Sequence, residues 1–134
     1  MSLPVSQLTY VSVPVTPGPE LLAAILRTSR PRNRRQGITG VLVSRDDLFV
    51  QLLEGPRQAV SDTFARILAD TRHAQVTLVA MQDADFRLFG KWEMRETALP
   101  GGLWSAADVA AGVPRQAPME DFMALFHRLA ATPG

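Results

Sequence analysis

Residues 38–55 read ITGVLVSRDDLFVQLLEG, two runs of β-branched and apolar residues joined by a polar turn at residues 45–47. This pattern predicts a β-hairpin with strands at residues 37–43 and 48–54. Both faces of the second strand carry apolar side chains, as in the central strand of a sheet, yet Gln51 interrupts them. A buried amide without hydrogen-bond partners would cost about 1–3 kcal/mol. Gln51 therefore points to solvent, bonds a neighbouring core residue, or meets a polar ligand brought into the core.

On either side of this hairpin the periodicity predicts further strands and helices. Alternation at residues 8–13 predicts a first strand, and helical spacing predicts a helix over residues 20–30 that Pro31 ends. A second helix at residues 55–70 and a strand at residues 75–81 follow the hairpin. This order is that of a ferredoxin-like βαββαβ sandwich, an α+β fold. It predicts an antiparallel sheet with both helices on one face and with the first and third strands adjacent at its centre.

The chain continues beyond this βαββαβ unit. An additional fifth strand is predicted near residues 91–96, and a short helix capped by a serine is predicted at residues 105–111. Residues 119–131 predict an amphipathic C-terminal helix, because their apolar side chains recur at spacings of three and four. We therefore divide the chain into a domain at residues 1–98 and a C-terminal helical extension at residues 99–134. The extension is expected to pack on the open face of the sheet or on a partner protein.

Composition and motifs exclude several classes of function. A net charge of +1 gives no general electrostatic case for nucleic-acid or membrane binding, and the lack of cysteine excludes disulfides, thiolate metal sites and a cysteine nucleophile. The N-terminus lacks the pattern of a signal peptide, and no apolar stretch reaches the ~20 residues of a membrane span, so we expect a cytoplasmic protein. The sequence has no glycine-rich phosphate loop, no HExxH or GxSxG motif and no paired catalytic carboxylates, and His73 and His127 are far apart. It therefore predicts neither an enzyme nor a metal site.

Tyr10, the single tyrosine, lies on the predicted first strand. Since that strand is expected to pair with the third, the phenol of Tyr10 and the amide of Gln51 are expected side by side. A lone tyrosine in a strand is usually a core residue with its hydroxyl bonded. A tyrosine beside a core glutamine, both facing the helices, instead suggests a polar ligand held between sheet and helices. Asn33, just past the predicted first helix, is either a turn residue or a second amide for that ligand.

Three further sets of residues have both a structural and a functional interpretation. Arg66 and Asp70 lie four residues apart on the predicted second helix and form either a surface ion pair or part of a site. Five arginines between residues 27 and 35 form a solvated turn or contact a phosphate. Trp92 and Met94 share one face of the predicted fifth strand, which is typical of core residues.

Taken together, these residues resemble the BLUF domain, the blue-light sensor that uses FAD. The resemblance covers residues 8–94 and rests on the order and spacing of five blocks: LTYVS, TSRPRNRRQGITGVL, FVQLLEG, FARILADTRH and RLFGKWEM. It implies that residues 1–98 are a flavin-binding photosensor domain that holds FAD non-covalently between its two helices. It also implies a homo-oligomer and a downstream partner protein.

The resemblance assigns roles residue by residue. It implies that Tyr10 donates an electron and a proton to the excited flavin, and that Gln51 is then rotated or tautomerised, which gives a red-shifted signalling state. Trp92 and Met94 would relay the change to the edge of the sheet, and which of the two lies next to Gln51 stays open. The residues implied to bind the cofactor, besides Gln51, are Ile25, Ser29, Asn33, Arg66 and Asp70.

Two alternatives remain beside this interpretation. Pro31 and Arg32 depart from the family pattern, in which a histidine or asparagine often precedes the residue at Asn33. These departures favour a ferredoxin-like binding module that has kept the fold and lost flavin photochemistry. A small phosphate-handling enzyme of the acylphosphatase type would need a phosphate-binding glycine loop after the first strand. Residues 13–19 hold three prolines and one glycine, which argues against that enzyme.

Overall fold

The computed structural model of the chain describes residues 4–132. Residues 1–3 of the predicted domain and residues 133–134 of the predicted C-terminal extension lie outside the described residues. Within the described residues one five-stranded sheet has helices on both faces. Its strands are β1 (Val5–Pro14), β2 (Thr39–Arg45), β3 (Leu48–Gly55), β4 (His73–Ala84) and β5 (Arg95–Ala98). The helices are α1 (Pro19–Gln36), α2 (Arg57–Ala69), α3 (Ala106–Ala110), α4 (Val113–Gln116) and α5 (Met119–Ala130). The α+β fold and its βαββαβ order are confirmed.

The sheet has the strand order β4-β1-β3-β2-β5. As predicted, β1 and β3 are adjacent and antiparallel, and their register sets Tyr10 directly opposite Gln51. The sheet is not wholly antiparallel, because β5 pairs in parallel with β2. The reason is topological: the chain leaves β4 at one edge and crosses to the other edge through residues 85–94 before β5 begins.

The prediction that Pro31 ends the first helix is wrong. α1 runs through Pro31 to Gln36 and ends at Gly37, which adopts the left-handed conformation (φ 71°) common after a helix end. Pro31 removes one backbone donor, but it lies on the exposed side of α1 while Ile25 and Asn33 are buried on the other. Packing of the buried side of α1 therefore outweighs the tendency of proline to end a helix. As a result, Asn33 lies inside the helix rather than past its end.

The fifth strand begins later than predicted. Residues 90–94 form turns and bends, with the Trp92 amide donating to the Phe89 carbonyl over 3.1 Å, and β5 starts only at Arg95. Because this segment is not extended, the prediction that Trp92 and Met94 share a face is wrong. Met94 is buried on one side of the sheet, and Trp92 packs on the other.

Two hydrophobic cores lie on opposite faces of the sheet. One is formed with α1 and α2 and contains Tyr10, and the other contains the buried face of α5. Along β3 the side chains alternate between them, so Gln51 faces α1 and α2 while Val50 and Leu52 face α5. The C-terminal helix thus packs on the open face of the sheet, the first of its two predicted positions. Among the helices of residues 4–132, none is long and apolar enough to span a bilayer.

Candidate functional site

A cleft opens between α1, α2 and the sheet. The residues predicted for photochemistry and cofactor binding all line this cleft: Tyr10, Ile25, Ser29, Asn33, Gln51, Arg66 and Asp70. The two residues predicted for signal relay, Trp92 and Met94, lie outside the lining.

Tyr10 and Gln51 are joined by a hydrogen bond at the floor of the cleft. The Tyr10 hydroxyl donates to Gln51 Oε1, and the two residues are only 1% and 5% exposed. Burial, with a smaller contribution from the Asp70 carboxylate, raises the pKa of Tyr10 well above its ordinary value. The phenol therefore stays protonated at neutral pH and acts as the donor to the amide.

The other end of the Gln51 amide contacts Met94. Gln51 Nε2 lies 3.2 Å from Met94 Sδ and donates to it, so Met94 and not Trp92 is the neighbour of the amide. Tyr10 and Met94 together fix the amide with its oxygen toward the phenol and its nitrogen toward the sulfur. A primary amide has two N–H donors and two acceptor lone pairs. With one of each used in these two contacts, one donor and one lone pair are left for a ligand in the cleft.

Asn33 holds the segment that leads into β5. Its Nδ2 donates to the Glu93 carbonyl over 3.0 Å, and one turn earlier Arg30 donates to the Met94 carbonyl through Nε and Nη2 at 3.2 and 3.0 Å. Asn33 is 1% exposed and also lines the cleft. It thus combines a structural contact with a position at the site, and its amide has a second N–H and an oxygen beyond that contact.

The predicted Arg66–Asp70 pair does not form. α2 ends at Ala69 and Asp70 is extended (ψ 114°), so these two side chains lack the spacing of one helical turn. Arg66 instead donates to Gln36 Oε1 over 3.3 Å. Asp70 pairs with Arg72, with Nη2 and Oδ2 2.7 Å apart, and the hydrogen bonds from Arg72 lower the pKa of Asp70. The cleft therefore has an ionised carboxylate beside a guanidinium.

Arg72 and His73 are site residues that the sequence interpretation missed. His73 Nδ1 lies 3.0 Å from Ser12 Oγ, and its ring meets the Tyr10 ring edge-on at a centroid distance of 6.2 Å. Burial lowers the pKa of His73, which keeps the imidazole neutral near pH 7. One signal was available: both residues lie between the second helix and a strand that pairs with β1, and so beside Tyr10. Both residues also end the FARILADTRH block of the BLUF resemblance, but the sequence interpretation assigned them no role.

The fold and the cleft define a class, a ferredoxin-like domain with a polar cleft between two helices and the centre of its sheet. Comparison with protein families narrows the class. The family model "BLUF: Sensors of blue-light using FAD" matches residues 5–95.

Individual relatives agree with this match. The chain is 44% identical over 89 residues to photoactivated adenylate cyclase subunit beta of Euglena gracilis. The aligned segment covers 65% of this chain and 10% of that protein. It therefore spans about a tenth of the length of the curated relatives it matches first. The dark-state structure of BlrB, a BLUF protein, superposes with a TM-score of 0.79 at 33% identity and covers 96% of both chains. A bacterial light-regulated adenylyl cyclase superposes at 0.67 and 27% identity, over 90% of this chain and 35% of that one. The chain belongs to the BLUF family.

The residues of the cleft fit a flavin chemically. The polar edge of a flavin ring alternates carbonyl acceptors with an N–H donor. Such an edge needs partners that both donate and accept, which the amides of Asn33 and Gln51 provide. Asp70 adds an acceptor and Arg72 a donor, and apolar side chains such as Ile25 can pack against the ring.

Proposed function

We propose that this chain is a blue-light photoreceptor that binds FAD non-covalently in the cleft between α1 and α2. The observation that carries the proposal is the hydrogen-bond chain from Tyr10 through Gln51 to Met94, since Tyr10 and Gln51 line the cleft and Met94 leads into β5. A bound flavin supplies the absorption of blue light and an excited state able to take an electron from a nearby phenol.

Binding and orientation are the task of the residues around the rim and walls. We propose that Asn33 and Asp70 bond the polar edge of the ring, and that Ile25 and Ser29 on α1 line its surface. Arg66, which lies on α2 and contacts the cleft, would bond the pyrimidine side. Arg72 keeps Asp70 ionised and oriented through their paired hydrogen bonds.

Tyr10 is proposed as the electron and proton donor. Because burial raises its pKa, the phenol holds its proton in the dark, and loss of an electron makes that proton strongly acidic. The hydrogen bond to Gln51 Oε1 would be the route by which this proton leaves toward the flavin that has taken the electron, and both the electron and the proton would then return to Tyr10, so that no net oxidation remains. The neutral ring of His73 stands edge-on to Tyr10 and restricts its orientation without adding a charge.

Gln51 is proposed to store the signal by exchanging the two ends of its amide. In the arrangement observed, Nε2 donates to Met94 Sδ. After rotation the amide oxygen would face the sulfur, which is a weak acceptor and offers it no proton. The contact that holds Met94 would then be lost, and the change would reach the start of β5. A local exchange of donor and acceptor thereby biases a larger element.

The output is proposed to be contact with another protein rather than catalysis by this chain. Relatives of the family include adenylate cyclases, in which the matched segment is a small part of the whole. For this chain we propose a homo-oligomer in the cytoplasm. In it residues 1–98 act as photosensor, residues 99–134 pass the change to a downstream protein, and Trp92 and Met94 take part in the relay.

The proposed alternative is a module that binds a ligand without photochemistry. Pro31 and Arg32 were its support in the sequence, but α1 continues through both and brings Asn33 to the cleft. This continuity favours the photoreceptor. The exposed side chain of Arg32 on the rim is compatible with either function.

Flavin titration of the purified protein followed by illumination tests the proposal. We expect saturable binding of FAD and a reversible red shift of its absorption under blue light. Asp70→Ala is expected to weaken binding by about tenfold or more, as for loss of a hydrogen bond to a charged group. Asp62→Ala, on the exposed part of α2, is the matched control and should bind as the wild type does. A wild-type protein that stays colourless, or binds FAD and shows no shift, would contradict the proposal.

A further inference from the structure

Arg95, the first residue of β5, reaches across to the end of the C-terminal helix. Its Nη1 donates to the carbonyls of Leu129 and Thr132 at 2.7 and 3.0 Å, and its side chain is buried. The guanidinium carbon lies 5.1 Å from the centre of the Trp92 ring. The last carbonyls of a helix lack partners within the helix and carry its partial negative charge. Arg95 is therefore a cationic cap supplied to α5 by another element.

Arg95 directly follows Met94, which accepts a hydrogen bond from the Gln51 amide. The side chain of Met94 contacts Gln51 on the cleft side of the sheet, and that of Arg95 bonds α5 on the opposite side. The Met94 carbonyl, which begins the peptide group joining the two residues, is held by Arg30 of α1. One peptide group thus separates Met94, which contacts the Gln51 amide, from Arg95, which caps the end of α5.

The face of the sheet on which α5 packs contains a buried polar group without a hydrogen-bond partner among the described residues. Thr9 is fully buried on β1, and its Oγ1 has no hydrogen-bond partner among residues 4–132. Thr9 pairs with Leu52, whose side chain belongs to the core under α5, so its hydroxyl is on that side of the sheet. A buried hydroxyl without a partner disfavours the arrangement in which α5 packs on the sheet, because water would bond this hydroxyl if α5 moved away.

We propose that Arg95 is the positioning residue that couples the Gln51–Met94 contact to α5. When Met94 shifts, Arg95 withdraws from the carbonyls of Leu129 and Thr132, and the end of α5 loosens from the sheet. Apolar contacts tolerate small displacements, whereas hydrogen bonds to a guanidinium depend steeply on distance and angle. The cap is therefore the contact on which a small shift of β5 has the largest effect. This inference rests on the proposed photoreceptor function.

Hydrogen–deuterium exchange of the full chain loaded with FAD, in the dark and under blue light, tests the coupling. In the wild type we expect amides in the last turn of α5 to exchange about tenfold faster in the light, as when a hydrogen bond to a charged group is lost. Arg95→Met keeps much of the apolar stem and should exchange at the fast rate in the dark. Its exchange should not rise further on illumination, while its red shift forms in full. Arg128→Met, which removes an exposed arginine of the same helix end, is the matched control and should behave as the wild type.

Thr9→Val supplies a second variant that does not depend on the folding of Arg95→Met. It replaces the unpaired hydroxyl by a methyl group of similar size, so we expect slower exchange of α5 in the dark and a smaller rise in the light. A wild type that shows the red shift while α5 exchange stays unchanged would overturn this inference alone. An Arg95→Met protein with the wild-type light response would do the same. Absence of the red shift in the wild type would overturn the photoreceptor function and this inference with it.

Discussion

Tyr10 and Gln51 face each other across the β1–β3 pair, and the phenol of one donates to the amide oxygen of the other. The amide nitrogen continues the chain to Met94. Two buried, uncharged polar groups at the centre of the sheet thus connect the cleft to the residue that precedes the edge strand β5.

Replacing Gln51 by leucine tests the switching amide. Gln51→Leu keeps a side chain of similar size and removes every donor and acceptor, so the protein should bind FAD and show no light-induced red shift in its absorption. Gln58→Leu, which alters an exposed glutamine of α2, is the control and should keep the shift. A reversible red shift in Gln51→Leu would show that another group stores the signal.

Met94 and Trp92 are expected to differ in their effect on the photocycle. Met94→Leu removes the sulfur that accepts from Gln51 Nε2 at little cost in packing. The dark arrangement then loses a contact of about 0.5–1.5 kcal/mol, and thermal return to it should slow by roughly 2- to 10-fold. Trp92→Phe alters only the far side of the sheet and should leave the recovery time near the wild-type value. The decay of the red-shifted absorption after a light pulse measures the recovery time of each variant. Equal recovery in Met94→Leu and the wild type would count against the contact.

The Asp70–Arg72 pair makes stability depend on pH in the acid range. Hydrogen bonds from Arg72 lower the pKa of Asp70 below its ordinary value of 3.8, so the folded state favours the ionised carboxylate. This contribution is present above the unfolded pKa and is lost as the pH falls through the lower, folded-state pKa. Asp70→Asn should show a weaker decrease in the free energy of unfolding below pH 4 than the wild type. Urea unfolding between pH 2 and pH 7 measures it, with Asp62→Asn as the control. Parallel curves for Asp70→Asn and the wild type would contradict the assignment.

Gly40 is expected to be intolerant of any side chain. A Cβ at this position would lie 1.9 Å from the Leu52 carbonyl oxygen and 3.3 Å from Met94 Cε. Gly40→Ala must therefore separate β2 from β3 or displace Met94, and we expect it to cost about 1–3 kcal/mol or more of stability. At Gly101 a Cβ would meet nothing within 4 Å, so Gly101→Ala serves as the control, measured by thermal unfolding. A Gly40→Ala protein as stable as the control would contradict this packing.

Much of the fold was predictable because its information is local. Periodicities of two and of three to four residues, together with turn residues, give the βαββαβ order. That order places the first and third strands side by side, so Tyr10 and Gln51 were expected on neighbouring strands, and the register of the pair sets them opposite each other. The buried face of α5 was likewise visible in the spacing of its apolar residues.

The errors arise where tertiary contacts outweigh local preference. Pro31 is a strong local stop, but the buried contacts of Asn33 beyond it hold α1 together. The partner of Asp70 depends on where α2 ends, and a shift of one residue exchanges Arg66 for Arg72. The choice between Met94 and Trp92 depends on the irregular backbone before β5, for which no periodic pattern exists.

The light-minus-dark absorption spectrum of the FAD-loaded wild type and of Tyr10→Phe tests the central claim most directly. The substitution removes one hydroxyl and keeps the buried ring, so both proteins should bind FAD and appear yellow. The account predicts a reversible red shift in the wild type and none in Tyr10→Phe. A full reversible shift in Tyr10→Phe, or none in a wild type that has bound FAD, would contradict it.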